Sequence, residues 1–471
     1  MTMFDAQHCY PRLLDPTSIH MTPADGFLQA WTRMPEPGHL RTFAKSDLVK
    51  GSWLNRQGCY ILRRCTGEHS AAAILDQVRA NDAVEVGEDG FWGFLMAAQR
   101  REFIDVLPAP ADPTGVMITG TSDAYWPMHA SIELTKRCNL RCLHCYADAT
   151  PAPREELPTS DLIRLLENWS RKGLAGVELT GGEPLLHPGF EEIFDTCVDH
   201  FFTIAILTNG TLIDEAFVRR VSAYQGRIHI GTSVDGSTAE RHDAIRGRGS
   251  FDKTTRGIRL LTDAGCAVRV GMTAAPYNVD DIKATGELAA SLGAWNFSAA
   301  PVMPFGRGEE YARQFSDKDW AAIAQAVESL PKIACIREGT FDGRIQRMGN
   351  CGVGITNVIL TPTGELKACL FLGEREQLGD LRNQSLDEVF TSERLRALSA
   401  LRAPEPATCE QCAYEIYCRT CIARGMQIVN TTKRRCKWAQ DYHLERAFPS
   451  YGAYPPLEQG IFKTADLRQA S

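Results

Sequence analysis

From about residue 125 onward, short apolar runs alternate with amphipathic stretches. "ASIELT" (130–135), "GVELTG" (176–181), "FTIAILTNG" (202–210), "RIHIGTSVDG" (227–236), "AVRVGMTA" (267–274) and "WNFSAAPV" (295–302) read as strands. Between them, segments such as "TSDLIRLLENWSRK" and "SFDKTTRGIRLLTDAG" space their apolar residues for one face of a helix. This alternation predicts parallel βαβ units with right-handed crossovers. Six repeats over residues 125–340 suggest an α/β fold, a partial (β/α)6 TIM-like barrel, with its chemistry at the C-terminal strand ends.

The flanks follow other rules. Residues 1–25 carry no strong period and read as a loose arm. In 26–107, "GSWLNRQGCYILRRCTGEHSAAAILDQVRA" predicts a helix with Tyr60, Ile61 and Leu62 near one face. A turn at Gly67 and a second helix with Ala73, Ile74 and Val78 follow. The Pro/Gly-rich "LPAPADPTGVMITG" predicts a linker, placed over 108–124. Periodicity fades after about residue 345, where "NVILTPTGELKACL" predicts a hairpin turning at "TPTGE". Residues 341–440 form a cysteine-rich region, and 441–471 read as a tail.

Composition narrows the class. The chain has 471 residues, 44% of them hydrophobic and 23% charged, as in a soluble globular protein of several domains. Its net charge of −7 disfavours general binding to nucleic acid or anionic membrane. No apolar run approaches a membrane span, and the N-terminus shows no basic region followed by an apolar core. A cytoplasmic location is the expectation.

Sixteen cysteines are the outlier. In a reducing compartment, clustered cysteines read as metal ligands or catalytic groups rather than disulfides. Ten fall into two sets, Cys138, Cys142 and Cys145 first and seven from Cys351 to Cys436 later. Cys9, Cys59, Cys65, Cys197, Cys266 and Cys335 are scattered, and most of them read as small buried hydrophobes. The first set, in "LTKRCNLRCLHCYADA", directly follows the first barrel strand. Three thiolates in one loop suit either a structural zinc with a distant fourth ligand or an iron–sulfur cluster with one open iron.

The Cys-x3-Cys-x2-Cys spacing at that strand end, with His144 in the usual aromatic slot, resembles the signature of the radical S-adenosylmethionine (SAM) enzymes. The resemblance implies a 4Fe-4S cluster on Cys138, Cys142 and Cys145, with the amino and carboxylate groups of SAM on its fourth iron. Gly181, Gly182 and Glu183 of "GGEP" would lie by the amino group, glycine suiting close backbone approach. His144, Tyr146, Asn209, Ser233 and Asp235 would also line the cofactor. Arg246 would pair with the methionine carboxylate, and Asn278 is a weaker candidate.

Cys351, Cys369, Cys409, Cys412, Cys418, Cys421 and Cys436 could by spacing build two zinc sites. Beside such a barrel, Cys-x12-Gly-x4-Cys followed by Cys-x2-Cys-x5-Cys instead resembles the SPASM domain, which implies two auxiliary 4Fe-4S clusters. The two-residue gap from Cys418 to Cys421 departs from the commoner three. The family's interleaved scheme assigns Cys351, Cys369 and Cys421 to one cluster and Cys409, Cys412, Cys418 and Cys436 to the other. Either Cys335 completes the first or its iron is open to substrate. Within 26–107, "LNRQGCYILRRCTGEHSAAAILDQV" resembles RiPP recognition elements, small winged-helix-like α+β units that bind a precursor's leader peptide by β-augmentation.

Taken together, the resemblances imply a peptide maturase that installs a thioether or carbon–carbon crosslink, supplied with electrons by a flavodoxin or ferredoxin. Modification of a small cofactor precursor or tetrapyrrole is the second reading. A cluster-bearing scaffold without turnover is the third.

Overall fold

The computed structural model describes residues 8–31, 49–326 and 352–461, with short stretches left out inside each range. Cys335 and Cys351 lie outside the described residues. The chain divides into an N-terminal unit ending at Met128 and a second unit from His129 onward.

In the N-terminal unit, β1 (Tyr10–Leu13), β2 (Thr17–Met21), β3 (Asp25–Trp31) and β4 (Val49–Asn55) precede the helices, and β5 (Ile104–Leu107) and β6 (Met117–Gly120) follow them. β4, β3 and β2 pair antiparallel and β6 adds to β2 in parallel, while β1 pairs with β5. Three helices, Arg56–Leu62, Ala71–Arg79 and Glu88–Arg100, lie between the strands in sequence. Asn55 and Ser70 cap the first two by accepting from Gly58 N and Ala73 N. Ile61, Leu62, Ile74, Leu75, Val78, Phe91 and Leu95 form the core together with Cys9, Cys59 and Cys65, which behave as the small hydrophobes expected of them.

Two sequence expectations are corrected here. Within the arm expected at 1–25, Tyr10–Leu13 and Thr17–Met21 form β1 and β2, and both belong to sheets. The proposed linker at 108–124 contains β6, which pairs with β2 near the start of the chain. All three strands are four or five residues long, and each pairs with a strand far along the chain. No local period announces such strands.

The second unit is built on one nine-stranded sheet. Six parallel strands, β7 (His129–Thr135), β8 (Gly176–Gly181), β9 (Thr203–Leu207), β10 (Ile228–Ser233), β11 (Ala267–Ala274) and β12 (Asn296–Pro301), lie side by side in chain order. These are the six strands that the pattern predicts. Helices such as Thr159–Arg171 and Ser250–Asp263 connect them, each with one buried apolar stripe. Along the strands, one face is sealed (Ile204, Ile206, Ile230, Val268, Val270, Phe297) and the other is partly accessible (Ala205, Leu207, Ser233, Arg269, Gly271, Ser298). The accessible, more polar face lines the barrel interior.

The hairpin expected at "NVILTPTGELKACL" forms from β13 (Asn357–Leu360) and β14 (Glu365–Lys367), turning at Gly364 with φ +96°. β15 (Gln377–Asp380) follows. β13 also pairs in parallel with β7, so the cysteine-rich region continues the barrel sheet instead of standing apart from it. Residues 441–458 are likewise more than a tail. Leu444, Phe448 and Tyr451 are buried, and the Tyr451 hydroxyl donates to Glu376 at 2.9 Å.

Candidate functional site

The loop after β7 carries Cys138, Cys142 and Cys145, and the chain holds it from several sides. Cys138 N donates to Thr150 O at 2.9 Å and Leu143 N to Ile245 O at 3.0 Å. Gly182 N donates to Thr135 O at 2.6 Å and Glu183 N to Arg137 O at 2.8 Å. A Cβ on Gly182 would stand 2.2 Å from Arg137 O, and one on Gly181, whose φ is +127°, 2.4 Å from Thr135 O. The close approach that requires both glycines is therefore to the backbone of the cysteine loop itself, not solely to a ligand as the sequence reading has it.

Glu183 is fully buried below this loop and accepts from Thr208 Oγ1 at 2.7 Å and Asn209 N at 2.8 Å. Burial pushes its carboxyl up to about 7, against the pull of those donors. The Asn209 side chain donates to Asn139 Oδ1 at 2.9 Å and lies 3.7 Å from the Cys138 sulfur. Leu140 N and Ala149 N approach the sulfurs of Cys138 and Cys145 at 3.4 Å each. Amide donors aimed at sulfur suit thiolate ligands. Burial nevertheless pushes the Cys138 thiol up to about 11, so a cationic centre is what would favour its ionised form.

At the next strand ends, Asp235 is fully buried and Ser233 partly accessible. The Asp235 carboxylate accepts from Arg246 Nε and from Thr273 N at 2.8 Å, and lies 3.3 Å from His144 Nε2. Burial alone would raise it, but the Arg246 guanidinium and His144 hold it below the usual carboxylate range. His144 is pushed down to about 4 by burial, so its imidazole is neutral at pH 7, and its Nδ1 lies 3.1 Å from the Tyr277 hydroxyl. Arg246 Nε is committed to Asp235, which leaves its terminal nitrogens for a ligand carboxylate. Asn278 serves the fold, donating to Asp235 O at 3.0 Å and Thr273 O at 3.1 Å. The Tyr146 hydroxyl donates to Glu133 at 3.2 Å.

Sequence reasoning misses Arg307. Its backbone N donates to Cys145 O at 3.0 Å, and its side chain donates to Cys142 O at 2.8 Å, Asp148 at 2.7 Å and Ala149 O at 3.1 Å. Gly306 permits this, since a Cβ there would lie 2.5 Å from Cys145 O. "GRG" just past the sixth strand is the signal, and it is too short to distinguish from an ordinary turn.

In the C-terminal region Cys409, Cys412, Cys418 and Cys436 line one small cavity, bordered by Pro404, Trp438 and others. Burial and the neighbouring thiols push Cys409 up to about 12. Burial and neighbouring thiols push Cys418 and Cys436 up as well, and such a donor set suits a strongly cationic centre. Cys421 begins the helix Ile422–Thr432, and Cys369 follows β14 and accepts from Phe371 N at 3.5 Å. Among the described residues, no three Cys, His, Asp or Glu side chains close on a point as a single metal ion requires.

The model of the radical SAM superfamily matches residues 132–289, and that of the SPASM iron–sulfur cluster-binding domain matches residues 351–413. This is a radical SAM enzyme with a SPASM domain. Its cofactors are SAM and 4Fe-4S clusters, including auxiliary clusters of the SPASM domain. The antilisterial bacteriocin subtilosin biosynthesis protein AlbA of Bacillus subtilis is 28% identical, over 93% of this chain and 98% of its own. The AdoMet-dependent heme synthase of Methanosarcina barkeri is 29% identical, over 62% of this chain and 90% of its own. Among solved structures, Streptococcus suis SuiB bound to its precursor peptide SuiA superposes with a TM-score of 0.59 at 12% identity, over 86% of this chain and 96% of that one. The radical SAM enzyme described here therefore shares the SuiB fold across most of its length. No helix among its described residues is long and apolar enough to cross a membrane.

Proposed function

We propose that the chain is a maturase of a ribosomally made precursor peptide, in which it installs a thioether or carbon–carbon crosslink. The observation that carries this reading is the extent of the AlbA match. An alignment covering 93% of the chain must include most of the N-terminal unit. The heme synthase match covers 62% of the chain, which leaves room to omit that unit entirely. A small tetrapyrrole substrate gives no use to a separate unit whose sheet ends on β4 and β6. An extended leader peptide does, because a sheet edge pairs with another strand through its backbone.

In this reading Cys138, Cys142 and Cys145 hold the cluster that binds SAM. Cys409, Cys412, Cys418 and Cys436 hold one auxiliary cluster, and Cys351, Cys369 and Cys421 contribute to the other. Bound there, SAM and its cluster would supply hydrogen-atom abstraction from an unactivated carbon. The chain's residues orient and enclose. Glu183 accepts from the SAM ammonium, Asn209 and Arg307 fix the cysteine loop, and Asp235 sets Arg246 and His144 in place. Electrons come from a flavodoxin- or ferredoxin-type carrier.

The test compares the full precursor with its leaderless core as substrates, anaerobically with SAM and reductant. Turnover of the core is expected to fall at least ~10-fold, the loss of about 1.4 kcal/mol of binding. Equal turnover of the two would remove the leader from the reading. Absence of 5′-deoxyadenosine with either would favour a scaffold.

A further inference from the structure

We propose that Glu133 is the catalytic carboxylate that takes up the proton released when the substrate radical closes its new bond. This inference rests on the crosslinking reading above.

The argument begins with alternation along β7. Ala130, Ile132 and Leu134 are apolar and sealed, while Ser131, Glu133 and Thr135 lie on the opposite face. That face is the barrel interior, where Ser131 Oγ donates to Glu178 of β8 at 2.9 Å. Glu133 pairs in register with Thr180, the residue immediately before Gly181 and Gly182. It therefore occupies the interior position one before the end of its strand, ahead of the cysteine loop. The β7–β8 register is irregular between Glu133 and Thr135. Such irregularities re-aim side chains, and they cluster beside active sites.

A hydrogen bond and a strand-end charge both act on this carboxyl. From one side the Tyr146 hydroxyl, next to Cys145, donates to it at 3.2 Å. On the other, Lys367 lies two residues before Cys369, and its charge acts on Glu133. Glu133 thus bonds a residue of the SAM-site cysteine loop and feels the charge of Lys367, which precedes an auxiliary-set cysteine by two residues. The titratable groups facing it are Tyr146, Lys136 and Lys367, with Glu178 beside Tyr146. Burial raises its pKa, and the two lysines and Tyr146 only partly offset this. A base with a raised pKa is a stronger proton acceptor than an ordinary carboxylate.

The chemistry requires such a group. Hydrogen-atom abstraction breaks a C–H bond and leaves a carbon radical on the substrate. Joining that carbon to an X–H group, thiol or carbon, forms C–X and breaks X–H. One electron and one proton remain to be removed. An iron–sulfur centre of the auxiliary class takes the electron, and the Glu133 carboxylate takes the proton.

The test uses the reconstituted holoenzyme, SAM, dithionite and a candidate precursor peptide, taken from any short reading frame found beside the gene and deuterated at carbon. Glu133→Gln keeps shape and removes basicity. It is expected to retain its iron content and to keep transferring deuterium into 5′-deoxyadenosine. Crosslinked product should fall about 100-fold, the usual scale of general-base catalysis. Glu133→Asp should recover part of that loss. Wild-type product formation should decline as pH falls through the raised pKa, where the base becomes protonated, and this limb should vanish in Glu133→Gln. Crosslinking by Glu133→Gln at the wild-type rate overturns the proposal. So does loss of deuterium transfer with iron intact, which would make Glu133 a substrate-holding residue. Failure of the crosslinking reading looks different, because wild type itself would then form no crosslinked product.

Discussion

Gly182 shows how tightly the site is determined at single residues. Its missing Cβ leaves room for the carbonyl of Arg137, and a methyl there would collide with backbone, which cannot swing aside as a side chain can. Gly182→Ala should therefore displace the cysteine loop, at about 1–3 kcal/mol, the usual cost of forcing extra volume into a packed site. Iron bound per chain and the thermal midpoint should both fall. An unchanged midpoint with full iron would mean that the loop adapts freely. The need for glycine at 181 and 182 is legible from "GGEP", but the reason is not. Only the fold brings residues 135–137 against 182. Cys138, Cys142 and Cys145 are legible because metal ligation imposes short, fixed spacings. Glu133 is invisible by comparison: one acid among 58 Asp and Glu, distinguished only by which face of its strand turns inward.

Among the elements, the six barrel strands follow from their period, because each is an apolar run bounded by turns. The segment after β12 does not. From beyond the sixth strand, Arg307 reaches back to the loop after the first and makes three side-chain hydrogen bonds there. No spacing rule links the two. Its planar fork satisfies carbonyls at Cys142 and Ala149 together with the Asp148 carboxylate, a geometry that lysine cannot reproduce. Arg307→Lys should accordingly lose iron faster than wild type under a mild chelator, and Arg307→Ala faster still. Equal loss rates in all three proteins would show that the remaining backbone bonds suffice. β6 escapes sequence reading for a related reason. Its partner β2 lies at the other end of the N-terminal unit's sequence, so its Pro/Gly-rich surroundings read as a linker.

For the whole molecule, the two cysteine sets predict a stoichiometry. Three four-iron clusters give about 12 irons per reconstituted chain. Replacing Cys409 and Cys418 with Ser removes two of the four thiols around the C-terminal cavity. That variant should retain roughly eight irons, since the other two sites keep their thiols. Values near those of wild type would dissociate that cavity from cluster binding. The boundary between barrel and cysteine-rich region, drawn at 340 from sequence, is softened by the sheet itself. β13 pairs with β7, so loss of the C-terminal cluster should also be felt at the first barrel strand.

That pairing also constrains how the protein is made. Asn357 of β13 and Ser131 of β7, whose side chains meet, stand 226 positions apart in the chain. At roughly 5–20 residues per second, the outer edge of β7 waits about 10–45 s for its partner to leave the ribosome. Until then the strand that launches the cysteine loop is an open edge, the kind that recruits the wrong neighbour. Assembly of the site is thus among the last events of synthesis rather than the first, although its cysteines emerge early.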